Sequence, residues 1–161
     1  MCSSPLCPIL LVIGVASAAS VQLGRVLQRR AAEEALLDIG REYRNALISY
    51  ANATPAGQKR SPSSLQDLLR DPRYPNPRHY LRQLYADPLT GKAKWGVIPM
   101  VDGSGIAGVY SLATAQPIKI GNFDAPFQDF TGKTSYRDWQ FMAPRTDPVF
   151  VAPPSYGELA K

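Results

Sequence analysis

No proline occurs between Pro8 and Pro55, although the chain holds fifteen prolines in 161 residues. Because proline breaks a helix interior, an interval this long is what a single continuous helix requires, and strong helix formers dominate it. The crowding of the other prolines after Thr54 predicts a loop-rich remainder of short elements.

The interval has two chemical halves. Met1 through Gly24 carry no charged side chain, and the densest apolar run, "PILLVIGVASAASVQL", ends at Arg25. A spanning helix needs about 20 mostly apolar residues. Three readings compete for this run. It is a retained membrane helix, a secretory signal cut after the small-residue site "ASA" at Ala18, or a buried helix of a soluble domain. The membrane reading draws on Ile9, Leu10, Leu11, Val12, Ile13 and Val15, with Gly14 and Ala18 in small-xxx-small spacing for close helix packing. A signal peptide would carry a basic residue ahead of its apolar core, and none is present.

Beyond Arg25 the pattern becomes amphipathic. Leu36, Ile39, Tyr43, Leu47 and Tyr50 recur at steps of three or four, while Glu33, Glu34, Arg41 and Arg44 fall on the other faces. The spacing predicts one helix over residues 9–53, apolar all round at first and one-sided later, with Gly40 as a weak point where it could bend. The expected organisation is an anchor half (1–24), an amphipathic half (25–53), an α+β head (54–141) and a proline-rich tail (142–161) without periodicity.

Within the head, "SPSSLQDLL" predicts a short helix capped by Ser63 or Ser64 and stopped at Asp71-Pro72. "DPLTG" reads as a tight turn set by Asp87, Pro88 and Gly91. "KWGVIPM" and "GIAGVYSL", joined through Asp102-Gly103, read as a β-hairpin in which Gly96 and its fellows are turn and bulge residues. "QPIKIG" and "YRDWQFMA" are candidates for one short strand each.

Chemistry-bearing sets are sparse. Both cysteines, Cys2 and Cys7, precede Pro8, so the head holds no disulfide framework or Cys/His metal cluster. His79 stands alone, Ser111 and Ser135 lack a G-x-S-x-G setting, and the aspartates fall in separate turns. "GSGIAG" matches the dinucleotide fingerprint but runs into a strand-like "VYSL" where that fingerprint opens a helix. The net charge of +5 is scattered, with no aromatic-interleaved basic run, which argues against nucleic acid. The expectation is a chain that is not an enzyme and takes no cofactor or metal.

A long apolar N-terminal helix, a turn-rich connection and a small antiparallel sheet form the plan of type IV pilins and pseudopilins. "AAEEALLDIGREYRNALISYANATP", "SLQDLLRDPRYP", "LRQLYADPLTGKAKWGVI", "GIAGVYSLATAQPIKIGNF" and "FTGKTSYRDWQF" resemble a branch of pseudopilin-like proteins related to the major pseudopilin of type II secretion. The resemblance covers about residues 31–141. It implies a single-pass anchor in the bacterial inner membrane, a periplasmic head and assembly into a pilus-like filament. The partners it implies are other pilin or pseudopilin subunits, the secretion or pilus assembly platform and inner-membrane lipid.

Two features depart from that family. Its peptidase site, a basic leader followed by Gly-Phe-Thr-Leu-Ile-Glu, has no counterpart in "MCSSPLCPILL", so the leader is degenerate or missing, or the chain is not processed. The loop that carries calcium-binding acids in the major pseudopilin corresponds to "SLATAQPIK", which has none, so no calcium is expected there. Arg25, Arg29 and Arg30 also follow the apolar run with nothing basic before it, which by the positive-inside rule favours a cytoplasmic head. The rival reading is a secreted soluble periplasmic binding domain released by cleavage after Ala18.

Overall fold

A computed structural model describes the backbone of residues 6–144 and the side chains of residues 22–144. It is an α+β structure: a long N-terminal helix against a three-stranded antiparallel sheet, with short helical turns between. Helix α1 runs without interruption over Leu6–Asn52. A short α2 covers Gln66–Leu69, and the strands are β1 (Gly96–Pro99), β2 (Ile106–Tyr110) and β3 (Phe141–Met142) in the spatial order β1-β2-β3.

From Glu33 to Tyr50, α1 presents a continuous buried stripe to the head. Leu36, Tyr43, Leu47 and Tyr50 are all buried, and Ile39 packs half-buried at the margin. The stripe is wider than the apolar period suggests, because Leu37, Gly40 and Ala46 also face inward. The sheet answers with Val109 and Phe141, cross-strand partners that share a face and are both 0% exposed.

The helix runs through Gly40 without interruption. A Cβ there would come within 2.2 Å of the Phe141 ring, so the missing side chain is the seat on which β3 meets the helix. Gly96 plays the same part on the outer sheet face, where its cross-strand partner Tyr110 lays its ring over it; a Cβ would sit 2.2 Å from that ring. Tyr110 is thus a half-buried cover of the outer face, whereas its neighbour Val109 is the core residue.

The β1–β2 hairpin closes through residues 100–105. Gly103 adopts φ +69°, and the Asp102 carboxylate accepts from the Ser104 amide at 2.9 Å. The register shifts at Ile98/Pro99, a local irregularity that proline favours because it lacks an amide proton.

Three local expectations are corrected. Neither Ser63 nor Ser64 caps α2. Asp67 reaches back instead and accepts from both of their amides, at 2.9 and 3.1 Å. "QPIKIG" forms no strand, because its amides bond to a side chain of α1 and not to a neighbouring strand. Glu33, expected on an outer face, is buried at 2% exposure.

Candidate functional site

The residues expected to form the membrane and filament helix (Ile9, Leu10, Leu11, Val12, Ile13, Gly14, Val15 and Ala18) lie on the helical backbone of α1, but their side chains fall outside the described residues. The described part of the stem begins at Gln22, and residues 22–28 are exposed without exception. Leu23, Val26 and Leu27 are 62%, 43% and 57% exposed, so the helix leaves the head with apolar side chains uncovered. Among the described residues, no helix is long and apolar enough to cross a membrane.

The stem enters the head at a polar lock built around Glu33. Its Oε1 accepts from the Ile118 amide at 2.5 Å and from the Tyr136 hydroxyl at 2.6 Å; its Oε2 accepts from the Lys119 amide at 3.2 Å. One turn earlier, Arg29 donates to the Gln116 carbonyl at 2.6 Å and to the Tyr136 oxygen at 3.3 Å. Two residues of α1 thereby gather residues 116–119 and the 3-10 turn Tyr136–Asp138 onto the helix. Burial, and then the bond to Glu33, push the Tyr136 hydroxyl up to about 12, so it stays protonated and donating.

A second lock closes the other end. The last turn of α1 holds no basic residue, which leaves its carbonyls without a local cation. Arg73 supplies one from beyond the helix. Its Nη2 donates to the Tyr50 carbonyl at 2.9 Å, its Nη1 to Thr54 Oγ1 at 2.6 Å, and its guanidinium lies 3.5 Å from the centre of the Tyr50 ring. Asp71, 0% exposed in its side chain, orients Arg73 through bonds at 2.8 and 2.7 Å and accepts from Tyr80 at 2.9 Å. The Arg73 guanidinium holds the Asp71 carboxyl below its ordinary value. Tyr74 completes the cap by donating to the Ala53 carbonyl.

The turn residues have unequal roles. Gly91 adopts φ +69°, and Pro88 lies half-buried beside the stem. Asp87 is more than a turn starter: it is 0% exposed and accepts from Ser111 Oγ at 2.7 Å and from the Leu89 amide at 2.9 Å. That pair ties the turn to the end of β2. Asp102 and Gly103 shape an exposed hairpin tip beside Val101, which is 91% exposed.

Open clefts lie beside α1 among the described residues. One, about 780 Å³, is lined by Glu42, His79, Arg82 and neighbouring tyrosines; another, about 340 Å³, lies between the stem at Arg25 to Ala32 and the turn at Pro88. His79 turns its Nδ1 to the Leu69 carbonyl, a structural bond. Among the described residues, no group of three or more His, Cys, Asp or Glu side chains is placed to hold a metal ion. The buried carboxylates at Glu33, Asp71 and Asp87 each belong to a separate lock, and no two share a site.

Sequence reasoning did not find Glu33, Asp71 or Arg73, and it gave Asp87 a local role only. The one available signal was the spacing: Glu33, unlike its neighbour Glu34, stands three and four residues before Leu36 and Leu37 on the apolar stripe. No protein-family model, curated protein or solved structure matches this chain.

Proposed function

We propose that the chain is a structural subunit of the pseudopilin kind, anchored in the bacterial inner membrane through the first half of α1 and assembling through that helix into a type II secretion or pilus-like filament. The observation that carries this reading is the division of labour along α1. Residues 33–50 are clamped to the head, while residues 22–28 project from it with Leu23, Val26 and Leu27 uncovered. A helix bound at one end only, whose free part runs back into an apolar sequence, is built to be covered by something other than its own head.

The locks fit a load-bearing subunit. Glu33 and Arg29 fix the angle at which the stem leaves the head, and Arg73 secures the far end of the helix. A subunit whose contacts with its neighbours run through a rigid rod needs the clamped segment of that rod fixed at both of its ends, with the rest left free. The head has no part in chemistry in this reading; its turns at Asp87 and Asp102 shape the surface offered to the assembly.

Fractionation of the expressed chain with intact-mass analysis tests the reading. A species retaining residues 8–23 and recovered with inner membrane is the expected result, and Val15→Arg should release it as a folded soluble protein. A soluble species starting near Ala19 overturns the anchor and leaves a secreted binding domain.

A further inference from the structure

The end of the head from which the stem emerges carries an uneven charge. Four hydrogen bonds bring its parts together: the Lys119 amide to Glu33, Arg29 to the Gln116 carbonyl, Tyr136 to Glu33, and the Gly132 amide to the Ile120 carbonyl at 3.1 Å. They bring the segments that carry Lys119, Ile120, Lys133 and Arg137 to α1 at its Arg29 and Glu33 turns, next along the helix to Arg25 and Arg30. Lys133, Arg137, Arg25 and Arg30 are exposed, and Ile120 is 70% exposed. The Lys119 ammonium rests 5.2 Å from the centre of the Phe123 ring. The exposed carboxylates of this region, Glu34, Asp124, Asp129 and Asp138, are fewer than the five cations Arg25, Arg30, Lys119, Lys133 and Arg137, and Glu33 is enclosed by its three donors.

We infer that this basic collar is a lipid-facing surface, with Arg25, Arg30, Lys119, Lys133 and Arg137 drawn to anionic headgroups and Ile120 facing the headgroup layer. The inference rests on the proposed membrane anchor and adds a second contact to it. The spacing fits. At 1.5 Å per residue, Arg30 lies roughly 9 Å along the helix from Gly24, and Glu33 roughly 14 Å. The headgroup layer on each side of a bilayer is about 5–8 Å thick. If residues up to Gly24 occupy the hydrocarbon, Arg25 stands in the headgroup layer, Arg30 at its outer edge, and the Glu33 level, where Lys119 is held, roughly 6 Å beyond it, a gap that extended Lys and Arg side chains can reach back across. Basic side chains there attract an anionic surface, and the exposed Ile120 beside Lys119 marks the head surface nearest the headgroups. The other end of the head, at the Asp102–Gly103 hairpin, would point away from the lipid.

The test uses the full chain reconstituted in vesicles, with Ile120→Trp as reporter; the native Trp95 and Trp139 are buried and give a steady background. Flotation with neutral phosphatidylcholine vesicles reads the anchor. Quenching of the new tryptophan by a headgroup spin label reads the collar. Quenching several-fold stronger with added phosphatidylglycerol is expected, to be lost in Lys133→Glu/Arg137→Glu and weakened when salt shortens the screening length from about 10 to about 3 Å. A Val101→Trp reporter should stay unquenched. Flotation with an unquenched Ile120→Trp, or quenching indifferent to lipid charge, overturns the collar and leaves the anchor standing. Failure to float on neutral vesicles, with charge-dependent quenching retained on anionic ones, overturns the anchor and supports the collar.

Discussion

The hydroxyl of Tyr136 donates to Oε1 of Glu33 at 2.6 Å across 103 residues of sequence. The bond joins the first buried residue among the described side chains of α1 to the last helical turn before β3. With the Ile118 and Lys119 amides, it gives a buried carboxylate three donors and no formal counter-ion, since Arg29 reaches the tyrosine oxygen and not the carboxylate. Glu33→Gln replaces one acceptor oxygen by an amide that can only donate, against donors. The expected loss is about 1–3 kcal/mol in denaturant unfolding, from charge-assisted bonds. A double-mutant cycle with Tyr136→Phe should show non-additivity; simple additivity would separate the two residues energetically.

Gly40→Ala is expected to destabilise, against its local effect. Alanine in place of glycine favours a helix by about 1 kcal/mol. Here the new Cβ would meet the Phe141 ring at 2.2 Å, and that ring is 0% exposed and packed against the Phe127 and Phe130 rings. Overpacking costs about 1–3 kcal/mol, and this contact belongs at the upper end. A raised melting temperature would show that β3 can move off the helix freely.

Val109→Asp and Tyr110→Asp should differ sharply although they are adjacent. Val109 is 0% exposed on the helix-facing side, so an aspartate there is an unpaired buried charge costing more than about 3 kcal/mol. Tyr110 covers Gly96 on the outer face and is half-buried, and its loss should cost about 1–2 kcal/mol. Equal destabilisation by the two would contradict the assignment of faces.

Alkaline pH should unfold the head by way of two tyrosines. Burial raises the hydroxyls of Tyr43 and Tyr136 to about 12 from an ordinary 10. A folded value above the unfolded one means the contribution is complete below pH 10 and is lost as pH rises through 12, because the unfolded chain releases those protons first. Melting temperature should therefore fall between pH 10 and 12, and less steeply in Tyr136→Phe.

Acid acts through Asp71 with the opposite sign. Its bond to Arg73 holds the folded carboxyl below the ordinary aspartate value. The resulting stability is present above the unfolded value, near pH 4, and is lost as pH falls through the folded one. Arg73→Lys, which cannot keep both guanidinium bonds, should remove part of this acid dependence and lower stability at neutral pH by about 1–3 kcal/mol.

What the sequence determined by itself was whatever a window of a few residues can encode. The proline-free interval and its three-four period marked α1. Asp102-Gly103 between β-branched runs marked the hairpin, and "SLQDLL" marked a short helix. These are local because helix bonds span four residues and a tight hairpin closes over a few more. The tertiary structure alone decided what fills the places where those elements meet. Glu33 reads as one more charge on a helix until residues 118, 119 and 136 enclose it. Gly40 reads as a flaw until Phe141 arrives, and the bare end of α1 is completed by Arg73, 23 residues beyond Tyr50. Residues 117–121 look strand-like, yet their amides go to a side chain of α1 and not to a strand. In each case the partner lies too far along the chain for any local pattern to register it, and desolvation on packing turned a nominal surface group into a structural one.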